Sequence, residues 1–179
     1  MTLRILGLAV VALFVLGAGA LCAQGLGWSF VNWKVRHDFP GVHRIEPAEL
    51  AAWLNDRERA QPVLLDVRTR AEFEVSHLHG ARWIDPNASA ASVELPKDEP
   101  IVTYCSVGYR SGAFAKKLQE AGFTQVENMS GSIFQWANEG RPVERDGRRV
   151  EKVHPYNKVW GKLLKPELRA AVRPAGATL

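Results

Sequence analysis

The segment Tyr104-Cys105-Ser106-Val107-Gly108-Tyr109-Arg110-Ser111 brings a thiol, a glycine, a guanidinium and hydroxyls into one short stretch. A thiol is a useful nucleophile at neutral pH only as its thiolate. A helix N-terminus, unpaired backbone N–H groups and nearby positive charge all favour that form. This segment is able to supply all three. Gly108 lets the chain curl without steric penalty, so successive N–H groups turn towards one anion. Arg110 adds fixed positive charge, and Ser111 is placed to cap the helix that follows. The chemistry to expect is nucleophilic attack by Cys105. Ser106, Val107, Gly108, Tyr109, Arg110 and Ser111 then form the loop that binds the substrate. The competing reading is an inert buried cysteine closing a strand, and the Gly-x-Arg-Ser sequel argues against it.

Such a loop needs a strand before it and a helix after it. "IVTY" (Ile101–Tyr104) reads as a buried strand. In "SGAFAKKLQEAG", Phe114, Leu118 and Ala121 recur at helical spacing, while Lys116, Lys117, Gln119 and Glu120 face away and Gly122 ends the run. The same alternation runs along the chain. "PAELAAWL" (Pro47–Leu54) predicts a short helix with Pro47 in its first turn. "PVLLDV" predicts a strand covered on both faces, "AEFEVSHL" a helix, and "ARWI" a brief strand. Residues 85–100 read as a surface connection, "TQVENM" as a strand and "IFQWANEG" as a last helix. Alternating strands and helices imply an α/β fold, an open parallel sheet of four to five strands with helices on both faces. Ligands of such sheets bind beyond the carboxyl ends of the strands, where Cys105 lies.

The 179 residues suit one domain with a real core. Residues from Arg141 onwards hold ten Lys/Arg against four Asp/Glu, a surplus of six within a net charge of +4, so the preceding body is slightly acidic. That balance gives no reason to expect nucleic-acid binding. Residues 5–33 contain no charged side chain and no histidine. They predict an N-terminal hydrophobic helix acting as a single-pass membrane anchor, with Trp28 and Trp33 at the membrane interface. The alternative is an exported, periplasmic protein after cleavage of a signal peptide near Ala18–Ala20. Cleavage would leave Cys105 as the sole cysteine, unable to form an internal disulfide or a structural zinc site. "KVRHDFPGV" then reads as a linker.

Over roughly residues 42–144 the sequence resembles the rhodanese-like (sulfurtransferase) domain family. "LLDVRTRAEFEVSHLHGARWI" matches the family's first signature through Asp66, Arg68, Glu72, Phe73, His77, Gly80 and Ala81. "YCSVGYRSGAFAKKLQEAGF" looks like its active-site segment, and "MSGSIFQWANEGRPV" like its closing pattern. Ser76 and Ser132 stand where the family usually has glycine. The resemblance implies a rhodanese-like fold and a thiosulfate sulfurtransferase-like activity. Cys105 takes the outer sulfur of a small anionic donor, holds it as a persulfide, and passes it to cyanide or a thiol, with no metal or organic cofactor. Arg110 is the group expected to position that donor. Four residues separate Cys105 from Arg110, whereas protein tyrosine phosphatases place five there to wrap a tetrahedral phosphate. The shorter loop favours sulfur. A non-catalytic module acting as a membrane-associated binding or sulfur-relay partner is the second reading.

Other residues are expected to be structural. Asp66 and Arg68 read as a polar pair supporting the loops, Trp136 as core, and His77 and His79 as turn residues and not metal ligands. Residues 145–179 form a basic C-terminal tail, read as a largely solvated extension that partly packs on the domain, or as a segment lying on an anionic membrane surface.

Overall fold

The strand that ends at the nucleophile is the centre of the sheet. In the computed structural model, which describes residues 25–171, β4 (Ile101–Tyr104) pairs in parallel with β2 (Val63–Asp66) on one side and β5 (Val126–Met129) on the other. β1 (His43–Ile45) joins outside β5, and β3 (Arg82–Trp83) outside β2. The order β1-β5-β4-β2-β3 makes a five-stranded, wholly parallel sheet. The fifth strand, β1, is an edge strand of three residues with two of them exposed, a pattern too short for alternation to reveal.

Helices cover both faces, so successive residues of one strand enter different cores. Leu64, Val102 and Tyr104 pack with Leu50, Trp53, Ile133, Phe134 and Trp136. These come from α2 (Pro47–Asn55) and α5 (Ser132–Asn138). Leu65, Ile101 and Cys105 pack on the other face with Phe114, Ala115 and Leu118 of α4 (Tyr109–Glu120). This two-sided burial is why β2 and β4 are continuous apolar runs. α3 (Arg70–Val75) is a short helix opened by a capping box, with Thr69 Oγ1 accepting from the Glu72 N–H and the Glu72 carboxylate accepting from the Thr69 N–H. It stops at Ser76, earlier than the expected helix through Leu78.

Asp66 and Arg68 are both fully buried and joined by Nη2–Oδ2 and Nε–Oδ1 contacts of 2.6 and 2.9 Å. Arg68 Nη2 also donates to the carbonyl of Ser76 at 2.6 Å, and the Trp83 indole donates to the Arg68 carbonyl. The pair ties the ends of β2, α3 and β3 together beneath the active loop. His77 and His79 both turn towards Glu144, at 3.9 and 2.8 Å.

Two segments depart from expectation. Residues 25–38 form a helix, α1, which continues through the stretch expected to be a linker. Val31 and Val35 are buried in the core of the domain, and Trp28 and Phe39 pack against it. Each such valine contributes roughly 1.5–2 kcal/mol by leaving water. Residues 25–33 of the expected anchor therefore pack on the folded domain through Val31 and Trp28, and Trp28 lies on protein where a membrane interface was expected. The remainder of the anchor or signal segment, residues 1–24, lies outside the described residues. Among those described, no helix is long and apolar enough to cross a membrane.

The second departure is the tail. An antiparallel hairpin, β6 (Val143–Arg145) with β7 (Arg148–Val150), leads into a chain that returns over the domain. Val153, Leu163 and Leu164 are buried beside α1 and α5, and Asn138 Nδ2 donates to the Leu163 carbonyl at 2.8 Å. Leu163 faces Gly27 of α1, where a Cβ would fall 2.7 Å from its Cδ2. Through residue 171 the tail is part of the fold.

Candidate active site

The sulfur sits where β4 gives way to α4. Cys105 is 1% exposed and forms the floor of a cleft of about 250 Å³. Three carbonyls of its loop are held by donors from the surrounding fold. Ile133 and Phe134, at the first turn of α5, donate N–H bonds to the carbonyls of Cys105 and Ser106, each at 3.1 Å. Asn128 Nδ2 donates to the Gly108 carbonyl at 2.9 Å. With those carbonyls fixed, the Gly108 N–H donates to Sγ at 3.1 Å, and the Ser111 N–H also acts on the sulfur. Gly108 has φ +104°, a conformation that glycine adopts at little cost. It also occupies the N-cap position of α4. Ser111, expected to be the cap, instead lies in the first turn, with its hydroxyl buried and without a partner meeting hydrogen-bond geometry. That hydroxyl lies close enough to Sγ to favour the thiolate.

Burial pushes the Cys105 thiol up, and the Arg110 charge, the Ser111 hydroxyl and the Ser111 and Gly108 N–H groups pull it down. The second group prevails, so the thiol lies below its ordinary range. Arg110 acts on it without being free. Its Nη1 and Nη2 donate to the two oxygens of Glu72 at 2.9 and 2.8 Å, and Nη2 also donates to Ser106 Oγ at 3.0 Å. The guanidinium further lies 4.6 Å from the ring centre of Tyr156. Three of the five guanidinium N–H groups are thus engaged within the protein, and Arg110 lines the cleft as part of this network and not as a free cation. Ser106 Oγ donates to Glu72 at 2.7 Å, so its hydroxyl also serves the network beneath the cleft.

Glu72 collects five hydrogen bonds, from Thr69 N–H and Oγ1, Ser106 and both Arg110 nitrogens. One carboxylate thus closes the start of α3 and clamps the active loop. Val107 and Tyr109 line the cleft, and the Tyr109 hydroxyl donates to Asp38 at 2.8 Å, away from the sulfur. Lys34 pairs with the same carboxylate at 2.8 Å. Phe30, Val31 and Lys34 of α1, with Tyr156 and Trp160 of the tail, complete the walls. Sequence reasoning missed these five because their segments read as anchor, linker and tail.

Ser132 is the other residue whose part was not foreseen. Its φ of +51° is the left-handed region that glycine favours, as the family's usual glycine there reflects. The serine hydroxyl accepts from the Cys105 N–H and donates to the Met129 carbonyl, both at 3.1 Å. It therefore holds the backbone of the nucleophile itself. Ser132→Ala is expected to lower stability by about 2 kcal/mol, because the buried Cys105 N–H loses its acceptor. Ser132→Gly is expected to cost less, since glycine recovers about 1 kcal/mol at this φ. Urea unfolding of the two variants checks the order.

Comparisons with known proteins agree with this architecture. The family model described as "Rhodanese-like domain" matches residues 46–139. A protein named sulfurtransferase from Allochromatium vinosum is 32% identical over 103 residues, which cover 57% of this chain and 94% of that protein. The probable adenylyltransferase/sulfurtransferase MoeZ of Mycobacterium tuberculosis is 33% identical over 101 residues, 55% of this chain but only 25% of that longer protein. Among solved structures, the rhodanese-like domain of an Anabaena protein aligns with TM-score 0.53 and 27% identity, covering 65% of this chain and 90% of its own. With the sheet order, the loop after β4 and these matches in agreement, the chain belongs to the family of rhodanese-like domains.

Proposed function

We propose that the protein is a sulfurtransferase in which Cys105 carries a sulfane sulfur from a donor to a thiophilic acceptor. The observation that carries this reading is the buried thiol that is nevertheless held below its ordinary pKa by loop N–H groups and by Arg110. Such a site stabilises an anionic sulfur both before and after transfer. The Cys105 thiolate attacks the outer sulfur of the donor, and a new S–S bond forms as the donor's own S–S bond breaks. With thiosulfate the electron pair leaves on sulfite. Cyanide or a thiol then attacks the outer sulfur of the persulfide and restores the thiolate. Sulfur changes hands without any external oxidant, and no step calls on a metal or organic cofactor.

Incubation of the protein with thiosulfate is expected to add the mass of one sulfur atom at Cys105, and cyanide is expected to release it as thiocyanate. Absence of both products overturns the proposal. Loading without turnover would instead identify the relay module that the family resemblance also allows.

A further inference from the structure

Above the loop that holds the anionic sulfur, the walls of the cleft are not built like a receptor for a small oxyanion. Two cations line it, and both are already neutralised within the protein. Arg110 is held in two-pronged contact with Glu72, and Lys34 pairs with Asp38. Tyr109 turns its hydroxyl to Asp38 and leaves its ring on the cleft. Apart from Cys105 and Ser106, whose hydroxyl is given to Glu72, the rest of the wall is Phe30, Val31, Val107, Tyr156 and Trp160. Burying a multiply charged ion against such a surface, with no unpaired cation among the described lining residues, is costly. Burying an apolar group there is favourable.

The dimensions point the same way. An apolar cavity of about 150 Å³ accommodates a benzene ring, and this cleft offers about 250 Å³. That space takes one ring or short alkyl chain in addition to the reacting sulfurs. The rings are also presented at the mouth and not lost in the core, since Phe30 is 54% exposed and Tyr156 is 42% exposed. Three of the four rings, all but Tyr109, come from segments flanking the matched family region of residues 46–139. Phe30 lies on α1, and Tyr156 and Trp160 lie on the returning tail.

We infer that the preferred donor is an organic sulfane-sulfur compound, a persulfide or thiosulfonate, whose carbon group is an apolar ring or short chain seated between Phe30, Tyr156 and Trp160. The inference rests on the sulfurtransferase reading given above. The transfer balances in the same way. Sγ bonds to the outer sulfur as the donor's S–S bond breaks, and the electron pair leaves on an organic thiolate or sulfinate.

The test uses the full-length chain with cyanide as acceptor and compares benzenethiosulfonate, methanethiosulfonate and thiosulfate. Each kcat/KM is divided by that donor's rate constant with free glutathione, which removes intrinsic reactivity. The normalised value for benzenethiosulfonate is expected to exceed that for methanethiosulfonate by about tenfold, the contribution of burying one ring. Phe30→Ser, at a largely exposed position, and Trp160→Ala are each expected to cut that ratio at least threefold. A ratio near one in the wild-type protein overturns the inference, and so does a ratio that neither variant moves. Loading of Cys105 by thiosulfate together with a ratio of one removes this inference alone. Failure of all three donors to load Cys105 removes the sulfurtransferase reading with it.

Discussion

Cys105→Ser is expected to abolish sulfur loading and thiocyanate formation, with a fall in rate of at least about a thousandfold. The serine hydroxyl occupies the same place at the end of β4 and meets the same Gly108 N–H and the same Arg110 field. What changes is the atom. Burial, the largest influence on Cys105, opposes the anion, and the loop overcomes it only because a thiol ionises close to neutral pH to begin with. The same influences applied to an alcohol leave it protonated, and an oxygen bearing a sulfane sulfur is no equivalent of a persulfide. The loop's backbone bonds to Ile133, Phe134, Asn128 and Ser132 do not involve the side chain, so the variant is expected to unfold within about 1 kcal/mol of wild type. Mass spectrometry after thiosulfate treatment, a thiocyanate assay and urea unfolding together check this. Full turnover in Cys105→Ser would place the chemistry elsewhere.

The nucleophile and its loop were legible in the sequence because they are local. Strand, cysteine, glycine, arginine and helix follow one another, and a buried strand covered on both faces declares itself as the run "IVTY". The partners of that loop were not legible, because they arrive from far along the chain. Glu72 stands out in the sequence as a signature residue, and in the structure it is also the acidic end of a capping box with Thr69. Nothing local says that its carboxylate also crosses to Arg110, 38 residues on. Ser132 read as a mild departure from glycine, whereas it bonds the Cys105 backbone from 27 residues away.

The two walls were obscured for different reasons. In α1 the buried positions Val31 and Val35 lie within or beside an uncharged run, so composition drowned the helical periodicity that separates a packed face from a membrane span. In the tail, Val153, Leu163 and Leu164 are buried one by one in irregular chain and short 3₁₀ turns, which carry no periodic signal at all. Tyr156 in "VHPYN" had no foreseeable role until the tail returned to lay its ring on Arg110.

Glu72→Gln is expected to destabilise the protein by about 3 kcal/mol at pH 7, and the deficit is expected to vanish in acid. Burial pushes the Glu72 carboxyl up, but Arg110, Ser106 and Thr69 together pull it from an ordinary 4.5 down to about 2. That gap corresponds to about 3 kcal/mol of preference for the folded state with Glu72 ionised. Between those two values the unfolded chain binds the proton and the folded one does not. The contribution is therefore complete above pH 4.5 and declines as the pH falls towards 2. Glutamine carries no charge to lose, so the two proteins converge across that window, while all other carboxylates affect both alike. Urea unfolding of both proteins at pH 7 and at pH 3 measures the convergence, and a constant difference would show that Glu72 is not the titrating group. The same variant also reports on the site. With Glu72 neutral, the Arg110 charge beside the sulfur is no longer offset, so the pH midpoint of Cys105 alkylation by iodoacetamide is expected to fall. An alkylation midpoint that rises would mean that losing the clamp moves Arg110 away from the thiol. In that case Glu72 serves chemistry mainly as the residue that holds Arg110 in place.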